Sequence, residues 1–227
     1  EIDPDKVYAI GYSHGGYGAF SIGPKMPDRF AAVHASASAP NDGQTQALGL
    51  HSLKFSFMVG GKDTAYGRRT RCEAFETVLQ GLKQQHPGLY PTTFTLVENN
   101  GHTGLPDRDI LPKLLAERRT VVAKQLFWQL SDGVIHDHYW LHTDRPEGGK
   151  RIDAALDGGT LKLSQCDLPT AEAWLDARVL DLRQGLVVVE GERKSEVRLE
   201  PSVRVLCATL QQRGDAQRAA SCVVRLR

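Results

Sequence analysis

The chain has 227 residues, 41% hydrophobic and 24% charged, with 28 Lys and Arg against 27 Asp and Glu. That length allows one large domain or a medium and a small one, and a net charge of +1 gives no global attraction for nucleic acid or an acidic membrane surface. No run of 18 apolar residues is present, which excludes a transmembrane helix.

In chain order, residues 7–10 form a short apolar run typical of a buried strand, 11–16 a turn, and 17–26 a helix stopped by Pro27 and Asp28. The small-residue stretch 29–39 is β-like, 40–43 is a loop, and 53–60 is a further strand. Over 71–86, Phe75, Val78, Leu79 and Leu82 recur at the period of an amphipathic helix. A strand at 92–98, a loop at 99–105 and an amphipathic helix at 108–123 complete a pattern that predicts a parallel α/β sheet with helices packed on it.

Beyond Ala123 the pattern changes to short strand-like runs at 124–130, 134–143, 151–157, 160–165, 173–180, 186–191 and 195–200. Asp132-Gly133, Glu147-Gly148-Gly149, Asp157-Gly158-Gly159 and Gly191 punctuate them, a spacing that predicts a small β-sandwich. A helix from Pro201 to about Arg213 and a last strand at 221–227 follow. The predicted domains are therefore 1–123 and 124–227.

None of the four cysteines, Cys72, Cys166, Cys207 and Cys222, forms a CxxC pair, which argues against a zinc ribbon or a dithiol redox site. They read as buried free thiols, with Cys207 and Cys222 the one pair close enough in sequence to bridge. The cluster Arg68, Arg69 and Arg71 reads as a solvated helix face, with contact to an anionic ligand as the alternative.

The chemistry is concentrated in "GYSHG", residues 11–15, which fits G-x-S-x-G between a predicted strand and a predicted helix. A serine on that tight turn is held in strained backbone geometry, and glycines two before and two after it are expected to avoid collision with neighbouring backbone. The first amides of the following helix then face the site and favour an oxyanion. A serine hydroxyl needs a base and an acid that orients the base, in the chain order Ser, Asp, His. Asp63 in "VGGKDTAY" and His102 in "NNGHTG" directly follow predicted strands, at the sheet edge where open α/β folds place their sites.

With "DPDKVYAIGYSHGGYGAF", "FMVGGKDTAY" and "NNGHTG", residues 3–123 resemble the C-terminal half of an α/β-hydrolase domain, of the polyester-depolymerase-like or prolyl-oligopeptidase-like kind. The resemblance implies a partial α/β-hydrolase sheet and a serine hydrolase acting on small-molecule or polymeric carboxylic esters through an acyl-serine intermediate. In that reading Ser13 is the nucleophile, His102 the general base and then acid, Asp63 its partner, and the His14 backbone N–H an oxyanion donor. No metal and no organic cofactor is implied. A prolyl-oligopeptidase-like peptidase and a non-catalytic binding or scaffold fragment are the alternatives.

The family's early strands and its second oxyanion donor do not precede "VYAIG" here. An upstream part of the same protein is therefore expected to complete the sheet and to carry any targeting signal. Compartment stays open, bacterial secretion or the periplasm included.

Other residues compete for roles. Asp42 in "APNDG" is the alternative acid, and Tyr12, Tyr17 and the His14 side chain are substrate-cleft candidates. Asp107 and Asp109 are expected to cap a helix, and His34 to be a satisfied core histidine. His136, His138 and His142 share one face of an extended strand, which would suit a metal. The plainer expectation puts His136 and His138 on the solvent side of that strand, opposite Tyr139. Trp128, Trp140 and Trp174 are expected to pack in a core rather than bind sugar.

Overall fold

The computed structural model describes residues 2–226 and divides into two compact units, the first ending at Thr120 and the second beginning at Val121. The chain combines a parallel four-stranded sheet and flanking helices with two further, mainly antiparallel sheets.

In the first unit, β1 (Tyr8–Tyr12), β2 (Ala32–Ser36), β3 (Lys54–Gly60) and β4 (Thr92–Val97) run parallel in the order β1-β2-β3-β4. Helices α1 (His14–Lys25) and α2 (Arg68–Gln85) supply Phe20 and Phe75, which meet Phe55 and Phe57 of β3 edge-on or tilted, while Phe94 of β4 stacks on Phe57 at 4.8 Å. Alternation along β3 turns Ser56 and Met58 to the other face. There Met58 packs with Ala37 and Leu105. The sheet is ordered so that its carboxyl-terminal edge gathers the loops after β1, β3 and β4.

The predicted helix over 108–123 is much shorter. A 3-10 turn at Asp107–Ile110 leads into α3 (Leu111–Leu115), five residues long. Tertiary bonds accompany its end: the Tyr8 hydroxyl lies 2.9 Å from the Glu117 carbonyl and 3.1 Å from that of Leu115, one of which takes its proton, and the Arg119 backbone N–H donates to the Asp5 carbonyl while its guanidinium bonds the Asp5 carboxylate.

In the second unit, β5 (Gln125–Gln129), β8 (Arg151–Asp157), β9 (Thr160–Cys166), β11 (Leu186–Glu190) and β12 (Arg193–Val197) form a sheet ordered β12-β11-β9-β8-β5, with β9 and β11 parallel and the other pairs antiparallel. The second sheet, β13-β10-β7-β6, takes β6 (Asp137–His138), β7 (Leu141–Thr143), β10 (Ala171–Leu175) and β13 (Cys222–Arg225). Leu126, Trp128, Ile152 and Leu161 from the first and Leu141, Ala173, Leu175 and Val224 from the second share one apolar core.

The run 134–143 is two strands rather than one, because Tyr139 takes a left-handed φ of 54° and reverses the chain. That reversal also undoes the expected histidine face. His138 is fully buried and stacked on Trp128, while His142 is buried with its ring on Trp174 at 4.1 Å. Burial, with Arg218 nearby, pushes the His138 imidazole down to about 3, so it is a neutral core residue. Among the described residues no group of three His, Cys, Asp or Glu is placed to hold a metal.

All three tryptophans are buried. The cysteines are free, and Cys207, on α4 (Val203–Arg213), is exposed rather than buried. Among the described residues no helix is long and apolar enough to cross a membrane.

Candidate active site

β1 ends at Tyr12, and the chain turns at Ser13 into α1 with φ 54° and ψ −116°, a conformation costly for a residue with a side chain. The turn is fixed from outside by a bond from the Ser13 backbone N–H to the Ser36 carbonyl at 2.9 Å. The first helical bond runs from the Tyr17 N–H to the Ser13 carbonyl. The His14 amide, at the first helical position, therefore has no acceptor within the helix and lies beside the Ser13 hydroxyl by chain connectivity.

The two glycines that make this turn feasible are not the expected pair. A Cβ on Gly11 would lie 2.0 Å from the Gly15 carbonyl oxygen, and one on Gly16 would lie 2.2 Å from the Ser38 hydroxyl. Around Gly15 the space is open to 4 Å. The helix backbone folds back onto Gly11, so Gly15 contributes its carbonyl and not its missing side chain. Gly11→Ala is accordingly expected to cost roughly 2 kcal/mol or more through overpacking. Gly15→Ala should be neutral or stabilising by up to about 1 kcal/mol, since alanine is the better helix former. Thermal midpoints of the two variants check this, and equal losses would contradict it.

The other two predicted residues come to the same place. Asp63 follows β3 and is 3% exposed; His102 follows β4. His102 Nε2 lies 3.0 Å from Ser13 Oγ and its Nδ1 lies 2.8 Å from Asp63 Oδ2. Gly60 makes this possible, because a Cβ there would lie 2.1 Å from the Gly101 carbonyl oxygen. The His102 loop thus presses directly on the end of β3, held by a bond from the Lys62 N–H to the Asn100 carbonyl at 2.9 Å.

The tyrosines flank this trio. The Tyr12 hydroxyl donates to the His102 carbonyl, and its ring is 5.6 Å from the imidazole. Burial, Asp107 and Asp63 raise the Tyr12 phenol above its ordinary range, so it remains a donor. Tyr17 lies half-buried and receives Arg68 Nε on its hydroxyl at 3.2 Å. The His14 side chain is exposed.

Asp42, the alternative acid, is exposed and paired with Arg71 at 2.7 Å, while Asp63 holds the imidazole. Asp107 and Asp109 cap no helix; Pro106 occupies the capping position, and Asp107 accepts from the Ser36 hydroxyl. His34 is buried in β2 with Nδ1 on the Ser56 hydroxyl at 2.8 Å, but its Nε2 has no partner, so it is only half satisfied. Burial lowers its pKa, which keeps the ring neutral.

One residue of the site was misjudged from sequence. Arg68 is not on a solvated face: it is 6% exposed and bonds Asp63 Oδ1 at 2.9 Å. The chain between them folds through a 3-10 turn at Ala65–Gly67, with left-handed Tyr66 and Gly67, which carries the first residue of α2 back to Asp63. The available signal was the spacing "DTAYGR", an acid and a base five apart across a glycine.

No family model matches the chain, and no curated protein sequence matches it.

Proposed function

We propose that this chain is a serine hydrolase of α/β-hydrolase type that cleaves carboxylic esters through an acyl-serine intermediate. The observation that carries the reading is the alignment of Ser13 Oγ, His102 and Asp63 at 3.0 and 2.8 Å, with the serine strained at the start of a helix. An Asp63 carboxylate only accepts, so His102 carries its proton on Nδ1 and turns the Nε2 lone pair toward Ser13. His102 then takes the Ser13 proton as the hydroxyl attacks the ester carbonyl. The oxyanion forms beside the His14 amide and the positive end of α1. His102 returns the proton to the leaving alcohol, and water repeats the sequence on the acyl-serine. Each of these proton transfers needs nothing beyond the three side chains and water.

Labelling with a fluorophosphonate probe tests the reading. Ser13-dependent labelling that disappears in Ser13→Ala supports it, and an unlabelled wild-type protein overturns it. Among labelled protein, faster turnover of p-nitrophenyl esters than of a proline-containing peptide amide supports an esterase, and the reverse preference a peptidase.

A further inference from the structure

We propose that Arg68 is a positioning residue of the acyl-transfer site, fixing the plane of the Asp63 carboxylate so that one oxygen serves the base and the other is permanently engaged. The inference rests on the reading of Ser13, His102 and Asp63 as a triad, and extends it to a residue that touches none of the reacting atoms.

The two oxygens of Asp63 are divided. Oδ2 faces His102 Nδ1 at 2.8 Å and Oδ1 faces Arg68 Nη1 at 2.9 Å. A carboxylate held by a single partner can rotate about its last side-chain bond and exchange oxygens; one held at both ends cannot. Arg68 is itself fixed. Its Nε donates to the Tyr17 hydroxyl, and its guanidinium lies 4.9 Å from the centre of the Tyr66 ring and 5.9 Å from that of Tyr17.

Tyr66 is the telling element. It is 79% exposed and left-handed, with φ 55°, so it gains little from burial and is held in a conformation bulky residues avoid. Its ring lies over the guanidinium at 4.9 Å in a cation–π contact, above an ion pair whose side chains are only 7% and 2% exposed. The bond from the Arg69 N–H to the Asp63 carbonyl closes the same turn from the other side. A surface salt bridge needs none of this.

The arrangement has an electrostatic consequence. Asp63 attracts the imidazolium that forms when His102 accepts a proton, and the guanidinium charge tempers that attraction.

The test compares Arg68→Ala and Arg68→Lys with wild type. Arg68→Ala is expected to lower kcat for a p-nitrophenyl ester roughly ten- to a hundredfold with KM within about twofold, as misorientation of a catalytic group does. Arg68→Lys keeps the charge but not the fork, so it restores only part of kcat.

Unchanged kcat in folded Arg68→Ala overturns the proposal. Should Arg68→Ala not fold, the Arg68→Lys result decides: full wild-type kcat overturns the proposal, and a partial loss at unchanged KM supports it. An unlabelled wild-type protein would sink the triad reading instead. Arg68 is then judged by the His102 Nδ1 proton resonance, whose loss in Arg68→Ala supports positioning and whose persistence in both variants overturns it.

Discussion

Ser13→Ala is expected to lower kcat/KM for p-nitrophenyl acetate roughly a millionfold, to the level left by binding and oxyanion stabilisation alone. Asp63→Asn is expected to cost about ten-thousandfold, for a reason particular to this site. Arg68 only donates, so the carbonyl oxygen of the introduced amide must face the guanidinium. The amide nitrogen is then forced toward His102 Nδ1 and requires a lone pair there. The imidazole proton moves to Nε2, and the base can no longer accept from Ser13. Removing Arg68 as well frees the amide to turn over, so the double variant should lose less than the product of the two single losses. Steady-state kinetics on protein with a normal thermal transition check both statements. Retention of more than a few per cent of wild-type activity in Ser13→Ala would show that the ester is cleaved elsewhere.

The order Ser13, Asp63, His102 was legible because each residue directly follows an apolar strand run, and parallel strands deliver their ends to one edge. What was not legible depends on turns and on contacts distant in sequence. Arg68 sits in a cluster of three arginines that reads as solvent-facing, and only the left-handed pair Tyr66 and Gly67 turns it inward. Residues 108–123 have helical periodicity, yet Asp5 and Tyr8, some hundred positions earlier, claim the backbone after Leu115. The β6–β7 reversal rests on a left-handed tyrosine that composition does not announce; it buries His138, whereas His136 is exposed as expected. The role assigned to Gly15 failed for a related reason: chain spacing indicates that the turn is crowded, but only the path of α1 decides that Gly11 and Gly16 are the crowded residues.

Arg213→Ala is expected to destabilise the second unit by about 3 to 5 kcal/mol, the range for breaking a buried ion pair from one side. α4 lacks the apolar inner stripe that usually anchors a helix. Its buried residues are Thr209 and Arg213, while Val203 is 77% exposed and Leu206 and Leu210 face solvent. Arg213 instead donates to the carbonyls of Tyr139 and Arg218 at 2.9 and 2.8 Å and to Asp137 Oδ1 at 2.9 Å, with its guanidinium over the Trp174 ring. Truncation would leave these acceptors buried and under-satisfied, which adds to the lost charge pairing.

The same cluster gives stability a pH window. Burial would raise the Asp137 carboxyl, but His142 and Arg213 outweigh it and hold the group down to about 2, against an ordinary 3.8. Its contribution is complete above the ordinary value and is lost as pH falls toward 2. Burial would lower His142, but Asp137 and Asp144 outweigh it and raise the ring above its ordinary 6.5. That contribution is complete below the ordinary value and fades as pH rises through the raised one. Thermal melts of the whole chain should therefore place the second unit's maximum between about pH 4 and 6.5. Arg213→Ala should depress the melting curve throughout that range, and His142→Gln should lower the maximum itself, flatten the alkaline decline and, because His142 also holds Asp137 down, weaken the acid one. A wild-type midpoint that is flat from pH 4 to 9 would sink the linkage, and an Arg213→Ala protein melting within a degree of wild type would show that α4 is held by something other than its arginine.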